Sequence, residues 1–141
     1  MTDQPICNQI LNGDCLALLP KIPAASVDFI LTDPPYLARY RPRDGRRVPN
    51  DDRDAWLKPA FAELYRTLKH NSFCVSFYSW SSADRFLAAW RMAGFRILGH
   101  FVFPKRYSAS VHYLRYQHEC AYLLPRTTTS SPTRRSCSTT S

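Results

Sequence analysis

The chain has 141 residues, 45% of them hydrophobic, and carries a formal charge of +8. A single domain of that size can bury roughly two-thirds of its unfolded surface, so a true core is within reach. The cationic excess suits a polyanionic partner, nucleic acid first among them, and no apolar run approaches the ~20 residues of a membrane span.

The first residues, Met-Thr-Asp-Gln-Pro, lack a basic stretch followed by an apolar one, so no secretory signal is expected. Residues 6–14, "ICNQILNGD", read as a short strand closing on Gly13-Asp14. Residues 15–22 make a short helix that Pro20 and Pro23 end. Residues 26–33, "SVDFILTD", form a nearly continuous apolar run, the pattern of a parallel strand covered on both faces. A loop rich in Arg, Pro, Asp and Gly fills 37–53. A helix over about 54–69 follows, with Trp56, Phe61, Leu64 and Leu68 near one stripe and Pro59 close to its start. Residues 72–80 are β-rich. Ser81 or Ser82 then caps a helix with Phe86, Leu87 and Trp90 inward, and Gly94 stops it. Strands over 95–104 and 117–125 complete the pattern, joined by a basic, aromatic link. The alternation predicts an α/β fold with a mostly parallel sheet and an antiparallel last strand.

At residue 127 the composition changes. Eleven of the last fifteen residues are Ser or Thr, too polar to offset the entropy of ordering, which predicts disorder over 127–141. A shift of reading frame would account for so abrupt a change. The domain expected to fold is therefore 1–126. The cysteines, Cys7, Cys15, Cys74, Cys120 and Cys137, are odd in number and without Cys-x-x-Cys spacing. No metal site is expected from them or the four histidines, and reduced thiols point to the cytoplasm.

One stretch carries chemistry. Ligands of open parallel sheets bind outside the carboxyl ends of strands, and Asp33 stands at such an end. Proline fixes its own φ and holds the residue before it extended. Pro34 and Pro35 thus aim the Asp33 carboxylate and the Pro34 carbonyl, two acceptors suited to the two N–H donors of an exocyclic amino group. Tyr36 adds a flat face for a base, worth about 1–3 kcal/mol in stacking.

The stretch from Leu11 to Tyr36, with Gly13-Asp14 nineteen residues ahead of the Asp-Pro-Pro-Tyr motif, resembles the amino-methylating DNA methyltransferases. These act on adenine N6 or cytosine N4, and the likeness is to the circularly permuted group, where that motif comes early. It runs over about residues 10–125, through "WLKPAFAELYRTLK", "SFCVSFYS" and "QHECAYLL". It implies a Rossmann-like methyltransferase sheet, S-adenosylmethionine as methyl donor, double-stranded DNA as partner, and adenine N6 as the favoured target. It also implies Asp33, Pro34, Pro35 and Tyr36 as catalytic residues acting on a base turned out of the duplex, which costs a few kcal/mol. Asp14 would contact the adenine of the cofactor, or simply cap the helix at 15–22.

Two basic clusters are candidate DNA contacts. Arg39, Arg41, Arg43, Arg46 and Arg47 crowd the loop after the motif, beside neutralising Asp44, Asp51, Asp52 and Asp54. Lys105 and Arg106, with Arg115, alternate with Tyr107, Tyr113 and Tyr116, which suit either DNA or a core. His118-Glu119 resembles a pair common in the family, and a structural role is the expectation for it.

The resemblance also implies a cofactor loop of the form Phe-x-Gly-x-Gly, and the chain has none. Its four glycines, Gly13, Gly45, Gly94 and Gly99, include no pair separated by one residue. The expectation is the front part of a methyltransferase, an incomplete sheet that needs a complementary fragment in trans. The competing readings are an inactive nucleic-acid-binding remnant and an amino-methyltransferase of RNA.

Overall fold

The computed structural model describes residues 7–37, 45, 53–111 and 114–127. The expected tail beyond 127 and the arginine-rich loop residues 38–44 and 46–52 lie outside them. The elements are α1 (Cys15–Leu18), a 3-10 turn (Leu19–Lys21), β1 (Val27–Thr32), α2 (Leu57–Thr67), β2 (Leu68–Phe77), a second 3-10 turn (Trp80–Ser82), α3 (Ala83–Ala93), β3 (Gly99–Val111) and β4 (Leu114–Arg126). The four strands form one sheet in the order β1-β2-β4-β3.

The ladder between β1 and β2 is parallel, and β4 runs antiparallel to both β2 and β3. The antiparallel last strand is as expected. "Mostly parallel" holds only for direction: three strands point one way, yet one described ladder of three is parallel, because β4 sits between β2 and β3.

Helices α2 and α3 cover one face. Phe61, Phe86 and Trp90 are fully buried there against Cys74 and Leu124 of the sheet. Burying such side chains stabilises by about 1.5–3 kcal/mol each. Phe61 meets Trp90 edge to face with centroids 6.0 Å apart, which fixes the crossing of the two helices. Gly94 ends α3 in the left-handed region at φ 109°, as the sequence predicts. Ser82 occupies the position before α3, but its side chain makes no capping bond.

The other face departs from expectation. Ile30 is buried under the helices, but Phe29 and Leu31 are exposed, so β1 is covered on one face and not on both. The strand expected over 6–14 is also absent at the described residues 7–14, where Ile10 is wholly exposed. Asn8 sits at φ 53°, outside strand geometry, and without a neighbouring strand the segment cannot complete a ladder. Strand β2 starts at Leu68 rather than 72, directly from α2. A bulge with Asn71 at φ 61° then restores the register that pairs Phe29 with Phe73. Strand β3 begins at Gly99 rather than 95, since Phe95 is held in the core against the Tyr65 ring, 5.0 Å away.

Arg66 and Arg126 tie the connections together. One Nη of Arg66 donates to the carbonyls of Leu19 (3.0 Å) and Ile22 (2.8 Å), fastening the α1 turn to α2. Arg126 donates to the carbonyls of Tyr65 (2.8 Å), Arg66 (3.0 Å) and Leu68 (2.5 Å), satisfying groups that the end of α2 leaves unpaired.

Candidate active site

Strand β1 delivers Asp33 one residue past its carboxyl end. The Asp33 side chain is exposed, Pro34 is buried, and Pro35 and Tyr36 are half-buried. Leu37 follows at φ 60°, a region a branched side chain rarely enters. It is held there because the side chain is buried in the core cluster. The motif is thus pinned at both ends, by the β1–β2 ladder before it and by Leu37 after it.

The Tyr36 hydroxyl faces the Asp33 carboxylate, within reach of a hydrogen bond to it. Burial foremost, then that bond, then the charges of Asp33 and Glu119, push the Tyr36 phenol above the ordinary tyrosine range. Tyr36 therefore stays neutral and a donor at physiological pH. Glu119, on β4, pairs with Lys105 on β3. The sequence singled out the His118-Glu119 pair but held no sign that Glu119 would lie near Tyr36. Only the antiparallel register, with Phe103 opposite Glu119, brings it there.

The β3–β4 ribbon runs on past the last β2–β4 pair, Phe77 with Ala121, and so rises beyond the carboxyl ends of the parallel strands. It carries Arg106 and Arg115, both exposed, on the side where Asp33 stands. Lys105 is engaged with Glu119 and shares its charge with that carboxylate. Arg39, Arg41, Arg43, Arg46 and Arg47 lie outside the described residues.

Asp14 caps α1, accepting the amide of Leu16 at 2.9 Å. It also borders a cleft of about 520 Å³ that Thr32, Pro34, Arg53, Trp56 and Phe61 help line. That volume falls in the range of small-molecule sites. Trp56, read from the sequence as part of a helix stripe, is a wall of this cleft, which periodicity alone could not reveal. On β2's carboxyl side, Tyr78 bonds the Nε2 of His100 at 2.9 Å, and burial, chiefly, pushes its phenol up to about 12.

Comparison with known proteins adds a family. A family model described as DNA methylase, of the N6/N4 type, matches residues 27–134. YubD of Escherichia coli (strain K12), a provisionally named methylase, is 49% identical over 119 residues, covering 84% of this chain and 52% of YubD. The chain thus spans about half the length of the curated relative it matches. TTHA0409 of Thermus thermophilus, a provisionally named DNA modification methylase, is similar in fold, with a TM-score of 0.61 at 19% identity over 86% of this chain and 54% of its own. The same protein has been solved with S-adenosyl-L-methionine. The cytosine-N4-specific PvuII DNA methyltransferase matches with a TM-score of 0.61 at 15% identity, over 82% of this chain and 48% of its own.

Proposed function

This chain belongs to the N6/N4 DNA methylase family, and on that premise we propose that it carries the base-binding half of a DNA amino-methyltransferase. The observation that carries the proposal is the Asp33 carboxylate, exposed just past the carboxyl end of β1 and followed by buried Pro34 and half-buried Pro35 and Tyr36. The substrate is a base turned out of double-stranded DNA. Its exocyclic amino group donates one N–H to Asp33 and the other to the Pro34 carbonyl. Both acceptors favour a tetrahedral nitrogen whose lone pair is free of the ring. Tyr36 gives the base its stacking face, and its hydroxyl holds the carboxylate in place. Pro35 keeps the backbone stiff between them.

S-adenosylmethionine, when bound, supplies the methyl group. The cleft beside Asp14 fits its adenine: Trp56 and Phe61 offer apolar walls and Asp14 an acceptor at the rim. For the methionine portion the chain offers no closely spaced glycines, so we assign that contact to the remainder of the fold. We assign DNA backbone contacts to the Arg39–Arg47 loop and to Arg106 and Lys105. Free thiols at Cys7, Cys15, Cys74 and Cys120 suit a cytoplasmic setting. Adenine N6 is the target we favour over cytosine N4, following the resemblance of the motif, and Asp33 in the first motif position favours DNA over RNA.

Arg106 and Arg115, exposed past the carboxyl ends of the parallel strands, also suit a second reading, a nucleic-acid-binding remnant that does not turn over. One experiment decides between them. The chain is co-expressed with the part of YubD outside the match and supplied with labelled S-adenosylmethionine and duplex DNA, and the digested nucleosides are weighed. N6-methyladenine is the expected product. N4-methylcytosine would move the target base, and an assembled pair without any transfer would leave the remnant.

A further inference from the structure

Tryptophan is highly buried on average, and two of the three in this chain follow suit. Trp90 is wholly buried, and Trp56 is half-buried at the cleft. Trp80 is 67% exposed. Its mount is nevertheless firm. It opens the 3-10 turn Trp80–Ser82, between β2 and α3. Before the turn, the Tyr78 ring packs on Phe86, Trp90 and Tyr122, with centroids 6.5, 5.9 and 5.1 Å away, and its hydroxyl bonds Nε2 of His100. Within the turn, the buried Ser82 donates its amide to the Ser79 carbonyl at 3.1 Å. The hydroxyls of Ser79 and Ser81 bond each other at 2.8 Å. The backbone is thus fixed on both sides of an indole that stays in water.

The place of that indole is specific as well. Thr32 of β1 pairs with Ser76 of β2, so Asp33 stands level with Phe77, one strand away, and Trp80 lies three residues farther along. At about 3.3 Å per residue that is up to about 10 Å beyond the level of the carboxylate, on the side where ligands meet a parallel sheet. Arg106 and Arg115 rise past the same edge on the β3–β4 ribbon. We propose that Trp80 is a DNA-stacking residue, whose indole enters the duplex where the target base has left and stacks on the bases that flanked it. The outward offset favours those neighbours over the target base, which lies down at Asp33 and against Tyr36. Turning a base out is uphill, and a flat apolar ring that reoccupies the stack offsets part of the cost. Stacking on one base is worth about 5- to 150-fold in binding. A ring with two torsions on a fixed backbone gives up little entropy in making that contact. The inference rests on the reading of the site as one that takes a base turned out of DNA.

The full chain is titrated with two duplexes of one sequence, the first intact and the second with a single abasic site at its centre. The abasic site presents the vacancy without requiring a recognition sequence. The parent should bind the abasic duplex about tenfold more tightly than the intact one, with quenched indole emission. Trp80→Ala should bind the two duplexes alike, while keeping the parent's affinity for the intact one, which rests on charge. Trp80→Tyr retains a flat face and should keep a preference of about threefold. Both variants should melt with the parent, because the exposed ring is no part of the core. A preference that survives in Trp80→Ala would overturn the role of Trp80 and leave the base-binding reading standing. Equal binding of the two duplexes by the parent would do the same. A parent that binds neither duplex would overturn that reading, and this inference with it.

Discussion

At the amino end of the sheet, one Nη of Arg126 donates to three backbone carbonyls and the guanidinium lies 4.6 Å over the Tyr65 ring, while Ala25 and Ser26 bond the last carbonyls of α2. At the carboxyl end, a carboxylate is left exposed, a leucine is held at positive φ, and a phenol is kept neutral against the two carboxylates Asp33 and Glu119. The first end pairs backbone carbonyls with donors of the chain itself, the buried Nε of Arg126 excepted. The second leaves the Asp33 carboxylate at the surface. On the proposed function, stability and chemistry separate along the length of one strand, and substitutions at either end should separate in the same way.

The largest expected effect on stability is at Arg126. Arg126→Ala leaves three carbonyls without their charged donor and should cost about 3 kcal/mol. For a domain of this size that lowers Tm by about 10 °C in a calorimetric scan. Below the new transition, methyl transfer by the assembled enzyme should be unchanged. A loss of rate without a loss of Tm would break the separation.

Gly94→Ala should follow at about 2 kcal/mol. The residue sits at φ 109°, and a Cβ there would stand 2.9 Å from Cζ of Tyr65. Tyr65 cannot readily yield, because Arg126 and Phe95 hold its ring from other sides. Chemical denaturation with an unchanged m-value is the check.

At the carboxyl end the smallest change is Tyr36→Phe. It keeps the stacking face and removes the hydroxyl that faces Asp33, at the worth of one hydrogen bond about 1 kcal/mol, or roughly fivefold in rate. A group whose folded pKa is raised contributes its stability in full below the unfolded value and loses it as pH climbs toward the folded one. The Tyr36 contribution is therefore constant through neutral pH and is lost only above the ordinary tyrosine range. The rate ratio of the variant to the parent should accordingly stay flat between about pH 6 and 9. A ratio that changes across that window would mean that the phenol titrates there.

Much of this was visible in the sequence, and the parts that were not have identifiable causes. The apolar run into Asp33 marked β1 and placed Asp33 at its carboxyl end. The stripe of Phe86 and Trp90 with Gly94 behind it marked α3, because the pattern and the stop agree. The same run misled about burial. Continuous apolarity reports that both faces of β1 are suited to burial, not that this chain covers both. The early start of β2 was hidden by its bulge, whose polar residues Lys69, His70 and Asn71 carry no strand alternation. Glu119 and Trp56 came to the site through register and helix packing, which local spacing does not encode.

The central claim is that Asp33 acts on the nucleophile and on neither the fold nor the cofactor. The direct measurement is methyl transfer to duplex DNA by the assembled Asp33→Ala variant, with cofactor affinity and Tm taken on the same preparation. Removal of one preorganised polar contact predicts a rate about 10²–10³ lower, with affinity for S-adenosylmethionine and Tm close to those of the parent. A variant that kept most of its activity, or lost cofactor binding in proportion to rate, would contradict the account.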